Sequence, residues 1–169
     1  MPILCKRRLL SSLLMFGLSL LLAGCPFSKL EPATLSLIDE AEAAWLASPT
    51  DSYRMTVEID RPGDRRRSTV TVTDHEITDG IVSYWDFEVK QWQEPYALNQ
   101  EQSFPFTVPG LFDMIRGALK ESGRESIRVM MAGEPPFPQK ILLGPVIVDG
   151  EPFDQTEATV TVQHFDRQQ

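Results

Sequence analysis

The sequence predicts an α+β fold, a mostly antiparallel sheet with two helices in the order helix, three strands, helix, three strands. Two observations carry this prediction. Apolar and polar residues alternate over short segments separated by turn residues, which is typical of antiparallel strands with one solvated face. Two longer segments instead repeat their apolar residues every three or four positions, which is typical of amphipathic helices that cover the other face of such a sheet.

The first predicted helix covers about residues 34–47, because Thr34 or Ser36 can cap it and Pro49 stops it. Its apolar face carries Ile38, Ala41 and Trp45. A strand follows in which inward residues alternate with outward ones. The inward set is Tyr53, Met55, Val57 and Ile59, and the outward set is Arg54, Thr56, Glu58 and Asp60.

A second strand is predicted over about 67–78, and Asp79-Gly80 is the strongest hairpin signal in the chain. The returning strand, about 81–89, would place one alternating set in the core: Ile81, Ser83, Trp85, Phe87 and Val89. Residues 90–106 are polar and aromatic without a period, which predicts a long loop.

The second helix is predicted over about 107–122, with Thr107 as its cap, Pro109 in its first turn and Gly123 at its end. Its apolar stripe consists of Leu111, Phe112, Ile115, Ala118 and Leu119. Three more strands are expected near 126–132, 140–148 and 157–165.

The first two dozen residues differ in composition from the rest. Lys6, Arg7 and Arg8 precede fourteen uncharged residues, 9–22, which is short for a membrane span of about 20 apolar residues. A basic start, a short apolar run and a small-residue exit are typical of a secretory signal peptide. The alternative is an uncleaved anchor helix.

The exit reads Leu22-Ala23-Gly24-Cys25 and resembles the lipobox of bacterial lipoproteins. That resemblance implies a signal peptide over 1–24, cleavage before Cys25, and acyl chains such as palmitate on Cys25 that anchor the protein stably in a membrane. The residue after Cys25 is Pro26 and not Asp. In this respect the chain resembles lipoproteins that follow the default export to the outer membrane, where the protein would face the periplasm. Residues 25–33 would then be a tether and 34–169 a single α+β domain.

The charge and the cysteine content argue against nucleic-acid binding and against thiol chemistry. Loss of Lys6, Arg7 and Arg8 with the signal peptide lowers the formal net charge from −8 to −11, so we expect no nucleic-acid partner. Cys5 leaves with the signal peptide and Cys25 receives lipid. The exported domain therefore has no thiol for a disulfide or for thiol catalysis.

Several segments of the exported part resemble a bacterial family known only as a domain of unknown function, whose members are often secreted or lipid-anchored. They are "AWLASPTDSYRMTVEI", the "TDG" hairpin, "FTVPGLFDMIRGAL" and "PPFPQKI", within about residues 43–166. Members that carry cysteines in the first hairpin differ from this chain, which has "RPGDRRRS" there. The resemblance implies a fold and no catalytic residue.

No catalytic motif, metal site or cofactor site is predicted. His75 and His164 have no ligand-spaced partners, and G-x-S-x-G and glycine-rich phosphate loops are absent from the sequence. "DGEPFDQTE" (149–157) lacks the alternate oxygen ligands of an EF-hand and is expected to be a solvated turn.

Two features suggest a binding surface. Arg65, Arg66 and Arg67 form the one basic cluster after the signal peptide, expected at the tip of the first hairpin, where it could contact an acidic group or simply protect a strand edge. Tyr84, Trp92 and Tyr96 lie in or near the predicted loop, where aromatic residues either fill the core or anchor a partner.

The sequence therefore favours a lipid-anchored cell-envelope protein that is not an enzyme but a binding or accessory module. Its partners would be the membrane, through the lipid on Cys25, and another envelope component. The alternatives are an inhibitor or chaperone-like accessory of another envelope protein, and a hydrolase that gathers His75 or His164 with carboxylates.

Overall fold

The computed structural model describes residues 29–153 and 155–168, so the predicted signal peptide and Cys25 lie outside the described residues. The helices are α1 (Leu35–Leu46), α2 (Gln100–Ser103), a 3-10 helix (Phe104–Phe106) and α3 (Val108–Lys120). The strands are β1 (Glu31–Pro32), β2 (Tyr53–Arg61), β3 (Asp64–Thr73), β4 (Glu76–Asp86), β5 (Gln91–Trp92), β6 (Tyr96–Ala97), β7 (Ile127–Ala132), β8 (Phe137–Leu143), β9 (Val146–Val148), β10 (Glu151–Phe153) and β11 (Ala158–Arg167).

One antiparallel sheet has the strand order β1-β7-β8-β11-β2-β3-β4-β5, with β6 also paired to β4. Strands β9 and β10 form a separate pair. The predicted α+β class with a mostly antiparallel sheet is thereby confirmed. The predicted number and order of elements are not confirmed, because the described residues contain three α-helices and because β1, β5, β6 and α2 add short elements to the expected series.

Strand β2 lies near the middle of the sheet and has the predicted alternation. Its residues Tyr53, Met55, Val57 and Ile59 are buried beneath α1 and α3, and we call this side of the sheet the covered face. Arg54, Thr56, Glu58 and Asp60 lie on the other side, which we call the open face. The covered face and the two longer helices enclose the core, where Trp45 contacts Tyr53 edge to face.

The hairpin between β3 and β4 turns at Asp74 and His75, so the predicted turn at Asp79-Gly80 is wrong. Asp74 and His75 have φ of 51° and 66°, as a two-residue turn of type I′ requires. Gly80 lies within β4, where an added Cβ would come 2.1 Å from Oγ of Ser103. The glycine therefore permits a close approach and does not form a turn.

The predicted faces of β4 are also wrong. Ile77 packs against the core, but a bulge at Thr78 reverses the alternation, so Val82 is the next buried apolar residue. Trp85 consequently lies on the open face and not in the core. The strand ends at Asp86, and Phe87 and Val89, predicted as its last core residues, are exposed.

Residues 90–106 are not the predicted loop but contain β5, β6, α2 and the 3-10 helix. Strand β5 pairs Trp92 with Trp85, and β6 pairs Tyr96 with Val82. Elements of two to four residues are too short to show a period, so the pattern of the sequence could not reveal them.

Helix α3 confirms the second predicted helix. The Thr107 hydroxyl oxygen accepts a hydrogen bond from the N–H of Gly110 at 3.1 Å, and Leu111, Phe112 and Ile115 are fully buried. Five strands follow, not three. The strand predicted over 140–148 is interrupted at Gly144, whose backbone passes so close to Ser126 that a Cβ would lie 2.6 Å from its Oγ.

The sheet begins within the segment predicted as a tether. Glu31 and Pro32 pair with Val129 and Arg128 of β7, and the Arg128 guanidinium donates to the carbonyl of Leu30 at 3.1 Å. The N-terminal end of the described chain therefore lies at the β1 edge of the sheet, and β5 lies at the opposite edge. Among the described residues, no helix has the length and apolar content to cross a membrane.

Candidate functional site

The open face carries a cluster of charged and aromatic side chains at its β5 edge: Glu58, Arg65, Arg67, Trp85 and Trp92. We call these five residues the open-face cluster. Antiparallel pairing places Arg67 opposite Glu58, and Trp92 opposite Trp85. Because successive strand residues face opposite sides, Arg65 and Arg67 share the open face and Arg66 does not.

Glu58 is held between two arginines. Its Oε1 accepts from Nη2 and Nε of Arg65 at 2.5 and 2.9 Å, and its Oε2 accepts from Nη2 and Nε of Arg67 at 2.9 and 3.3 Å. The side chain is 8% exposed. Burial alone would raise the pKa of the Glu58 carboxyl, but the hydrogen bonds and positive charges of Arg65 and Arg67 outweigh it and leave this pKa lowered. Glu58 is therefore ionised at neutral pH.

The two arginines also contact the tryptophans. The guanidinium carbon of Arg67 lies 4.2 Å from the centroid of the Trp92 ring, and that of Arg65 lies 5.6 and 5.7 Å from the Trp85 and Trp92 rings. The two indoles meet edge to face at 5.4 Å. These contacts fit cation–π attraction, and they hold planar aromatic and guanidinium groups rigidly at a half-buried surface.

The other predicted contact residues lie on the covered face. Arg66 pairs with Ile59 and Tyr84, and its guanidinium carbon lies 5.8 Å from the Phe106 ring centroid. Tyr84 and Tyr96 stack with their rings 5.9 Å apart and nearly parallel. The six residues predicted from sequence thus form two groups on opposite sides of the sheet: Arg65, Arg67 and Trp92 on the open face, and Arg66, Tyr84 and Tyr96 on the covered one.

The arginine triplet does not lie at a hairpin tip. The first hairpin turns at Pro62 and Gly63, and all three arginines belong to β3. Neither Glu58 nor Trp85 was predicted as a site residue. A signal for Glu58 was present, because a two-residue turn at Pro62-Gly63 places Glu58 directly opposite Arg67. For Trp85 no signal was available, because the bulge in β4 determines its face.

His75 lies apart from the open-face cluster and from His164, whereas His164 lines the same open depression as Arg67. His164 on β11 pairs with Thr56, whereas His75 occupies a turn where its N–H donates to the carbonyl of Asp51, roughly 15 Å along β2. Both are exposed. His164 Nε2 lies 2.6 Å from Asp166 in an open depression of about 470 Å³ on the open face. Among the described residues no three His, Cys, Asp or Glu side chains converge as a metal site would require.

Comparisons with known proteins assign this chain to no family: no protein-family model matches it, and no curated protein matches it.

Proposed function

We propose that this protein is a lipid-anchored cell-envelope protein, held in the outer membrane and facing the periplasm, that binds a partner through the open-face cluster without catalysing a reaction. The observation that carries the proposal is the arrangement of Trp92 beneath the Arg67 guanidinium, with Arg65 and Trp85 beside it. Rigid tryptophan and arginine side chains at a partly exposed surface are the groups most often found as anchors in binding interfaces.

The protonation states in the cluster support binding and not acid–base chemistry. The pKa of Glu58 is lowered, so its carboxylate stays ionised near neutral pH, and arginine stays protonated at any such pH. A general acid or base works best with a pKa near the operating pH. The cluster therefore suits stacking and hydrogen bonding to a partner.

The position of the cluster suits a protein anchored at Cys25. Five residues separate Cys25 from Glu31 of β1, so the sheet edge would lie no more than roughly 20 Å from the lipid. The cluster lies on β2 to β5, four to seven strand steps from β1, or roughly 20–35 Å at about 4.8 Å per step. A lipid at the β1 edge would thus leave the cluster turned away from the membrane that holds the protein.

The lipid anchor is tested by the intact mass of the membrane-extracted chain. We expect a species that begins at Cys25 and carries the added mass of acyl chains. In Cys25→Ser that species should be absent, because serine offers no sulfur for lipid attachment, and the protein should leave the membrane fraction. A full-length chain without lipid in the wild type would contradict both the anchor and the proposed location.

The binding surface is tested by a photo-crosslinking residue placed at Asp60, which is exposed on the open face and lies 3.9 Å from Arg65. In the cell that makes the protein, we expect a discrete adduct, and we expect Trp92→Ala to reduce it at least tenfold because the central aromatic contact is lost. Tyr96→Ala is the matched control, since it removes an aromatic residue from the other face of the sheet and should leave the adduct unchanged.

Equal adducts from the wild type and Trp92→Ala would contradict a role for the open-face cluster. A single adduct of fixed 1:1 composition would favour an accessory or inhibitor of one envelope protein, whereas a heterogeneous series of adducts would favour a polymeric ligand. Circular dichroism of each variant shows whether the fold is retained.

A further inference from the structure

A cavity of about 280 Å³ lies on the covered face, beyond the end of the main core. Strands β2 to β4, β6, the segment around the 3-10 helix and α3 form its walls. Its apolar lining consists of Ile59, Val82, Leu98, Pro105, Phe106 and Met114. Exposed Tyr96 and Gln102 lie at its mouth, and buried Val82 and Phe106 lie deeper. The volume equals that of roughly nine water molecules, which is enough for a small organic ligand.

One cation lines this apolar cavity. Arg66 makes no ion pair within the described part of the chain, although its neighbours Arg65 and Arg67 both bind Glu58. Its Nε is buried and has no hydrogen-bond partner among the described residues. A buried charged donor without a partner is unfavourable, and such a group in a folded protein calls for an explanation. An anion bound in the cavity would supply the missing acceptor.

Tyr84 adds a second polar group beside the guanidinium. The pKa of its hydroxyl is lowered, first by its interaction with the Tyr96 hydroxyl and then by Arg66, whereas the pKa of Tyr96 is raised by the same interaction with Tyr84. Arg66 and Tyr84 lie directly opposite each other on β3 and β4, and both line the cavity. The cavity thus has one positively charged polar corner and an otherwise apolar wall.

We propose that this cavity binds a monocarboxylate with an unbranched apolar tail, such as a medium-chain fatty acid, with the carboxylate at Arg66 and Tyr84 and the tail along Leu98, Phe106 and Met114. Arginine binds carboxylates through two parallel hydrogen bonds, which fits a planar monoanion. A single arginine in a chain with a net charge of −8 does not suit a highly charged anion. This site is distinct from the open-face cluster and goes beyond the proposed function.

The test uses the full chain in phosphatidylcholine nanodiscs, with empty nanodiscs as the blank and every amphiphile kept below its micelle concentration. Binding is measured by calorimetry and by shifts of backbone amide signals. We expect decanoate to bind and to shift amides of the lining residues. Acetate has the head group without the tail, and decyltrimethylammonium has the tail with the opposite charge, so neither should bind measurably.

Three variants locate the site. Arg66→Gln should weaken decanoate binding about ten- to hundredfold, since a charge-assisted hydrogen bond is lost. Met114→Trp should abolish it by filling the cavity while leaving the charge in place. Arg65→Gln is the matched control: it removes a neighbouring arginine from the same strand but from the open face, so decanoate should bind as it does to the wild type.

Equal binding of decanoate and decyltrimethylammonium would overturn the proposal, because the cavity would then be a general apolar cleft. Unchanged decanoate affinity in both Arg66→Gln and Met114→Trp would overturn it as well. If Arg66→Gln fails to fold, the proposal is still tested by comparing the ligands on the wild type and by measuring decanoate binding to Met114→Trp. None of these results depends on the crosslink at Asp60, so the two proposals can fail separately.

Discussion

Replacement of Glu58 by glutamine is expected to lower the free energy of unfolding by about 2 kcal/mol at pH 7. The substitution keeps the shape of the side chain but leaves Arg65 and Arg67 facing each other without the carboxylate that binds both. Removing one partner of a fully buried pair costs about 3–5 kcal/mol. We expect a loss of only about 2 kcal/mol because the arginine side chains are 36% and 42% exposed, so water partly screens their repulsion.

The effect of Glu58→Gln should depend on pH in a defined direction. The pKa of Glu58 is lowered in the folded protein from its ordinary value of 4.5. A carboxyl with a lowered folded pKa contributes stability above its unfolded pKa and loses that contribution as the pH falls through the folded pKa. The difference in stability between the wild type and the variant should therefore be full at pH 6–7 and shrink below about pH 4.5.

Urea unfolding of both proteins at pH 7, 5, 4 and 3 measures this difference. Asp60→Asn is the matched control, because Asp60 lies on the same strand and face, 3.9 Å from Arg65, but its side chain is 54% exposed. We expect it to change stability by less than about 0.5 kcal/mol. Equal losses for Glu58→Gln and Asp60→Asn, or a difference that does not vary with pH, would contradict the structural role assigned to Glu58.

The same substitution bears on the open-face cluster, because Glu58 fixes the guanidinium groups that contact Trp92. Without the carboxylate, Arg67 loses its two hydrogen bonds to Glu58, and the guanidinium that contacts Trp92 is no longer held in place. If the cluster binds a partner through preorganised groups, Glu58→Gln should weaken the adduct at Asp60 even when the fold is intact.

The parts of the fold that follow from the sequence are those with long and regular patterns. Residues 53–60 of β2 alternate without interruption, and the stripe of α3 repeats over three turns after a threonine cap. Each of these patterns indicates an element that buries one face against the core. For this reason the α+β class and the inward face of β2 were predicted correctly.

Strand β4 shows why the remainder was not predictable from a pattern. The bulge at Thr78 adds one residue, so the apolar alternation before it and after it belongs to different phases. Pairing with β3 decides which phase faces the core, and pairing is a property of the folded sheet. That choice decides the faces of Tyr84 and Trp85, whereas Arg66 lies on the opposite side from Arg65 and Arg67 because successive residues of β3 alternate.

Gly80 illustrates a second limit on what can be predicted from the sequence. The sequence pattern assigned Gly80 to a turn, whereas the structure uses it for the approach of Ser103 to the backbone of β4. The absence of a Cβ serves either purpose, and only the tertiary contact distinguishes them. The cavity with Arg66 depends on the same region, since α2 lies against β4 and the 3-10 helix lies against β2 and β3 there, and neither helix is long enough to predict.

Gly110→Ala is expected to lower the free energy of unfolding by about 3 kcal/mol, which is at the upper end for overpacking. Gly110 lies in the first turn of α3, where an added Cβ would come 2.0 Å from the carbonyl oxygen of Phe104 and 2.8 Å from Cα of Pro105. Both are backbone atoms. The Phe104 oxygen is also fixed, because it accepts from the N–H and the hydroxyl of Thr107 at 3.0 and 2.7 Å. Relief of the clash therefore requires movement of the 3-10 helix or of α3.

Gly117→Ala is the control within the same helix, because a Cβ there meets no atom within 4 Å. Alanine is favoured over glycine in a helix by about 1 kcal/mol, so this variant should be more stable than the wild type. Urea unfolding of the two variants should thus show changes of opposite sign. Similar changes in both would mean that helix propensity, and not the contact with Phe104, governs position 110.

The pair of glycine variants also tests whether the 3-10 helix shapes the Arg66 cavity. Pro105 and Phe106 line that cavity, and Phe106 lies against the Arg66 guanidinium. If Gly110→Ala displaces these residues, it should weaken decanoate binding under conditions where the variant remains folded, whereas Gly117→Ala should leave it unchanged. Unaltered decanoate affinity in a folded Gly110→Ala variant would mean that the clash is relieved on the helix side, by a shift of α3, and that the position of Phe106 does not depend on Gly110.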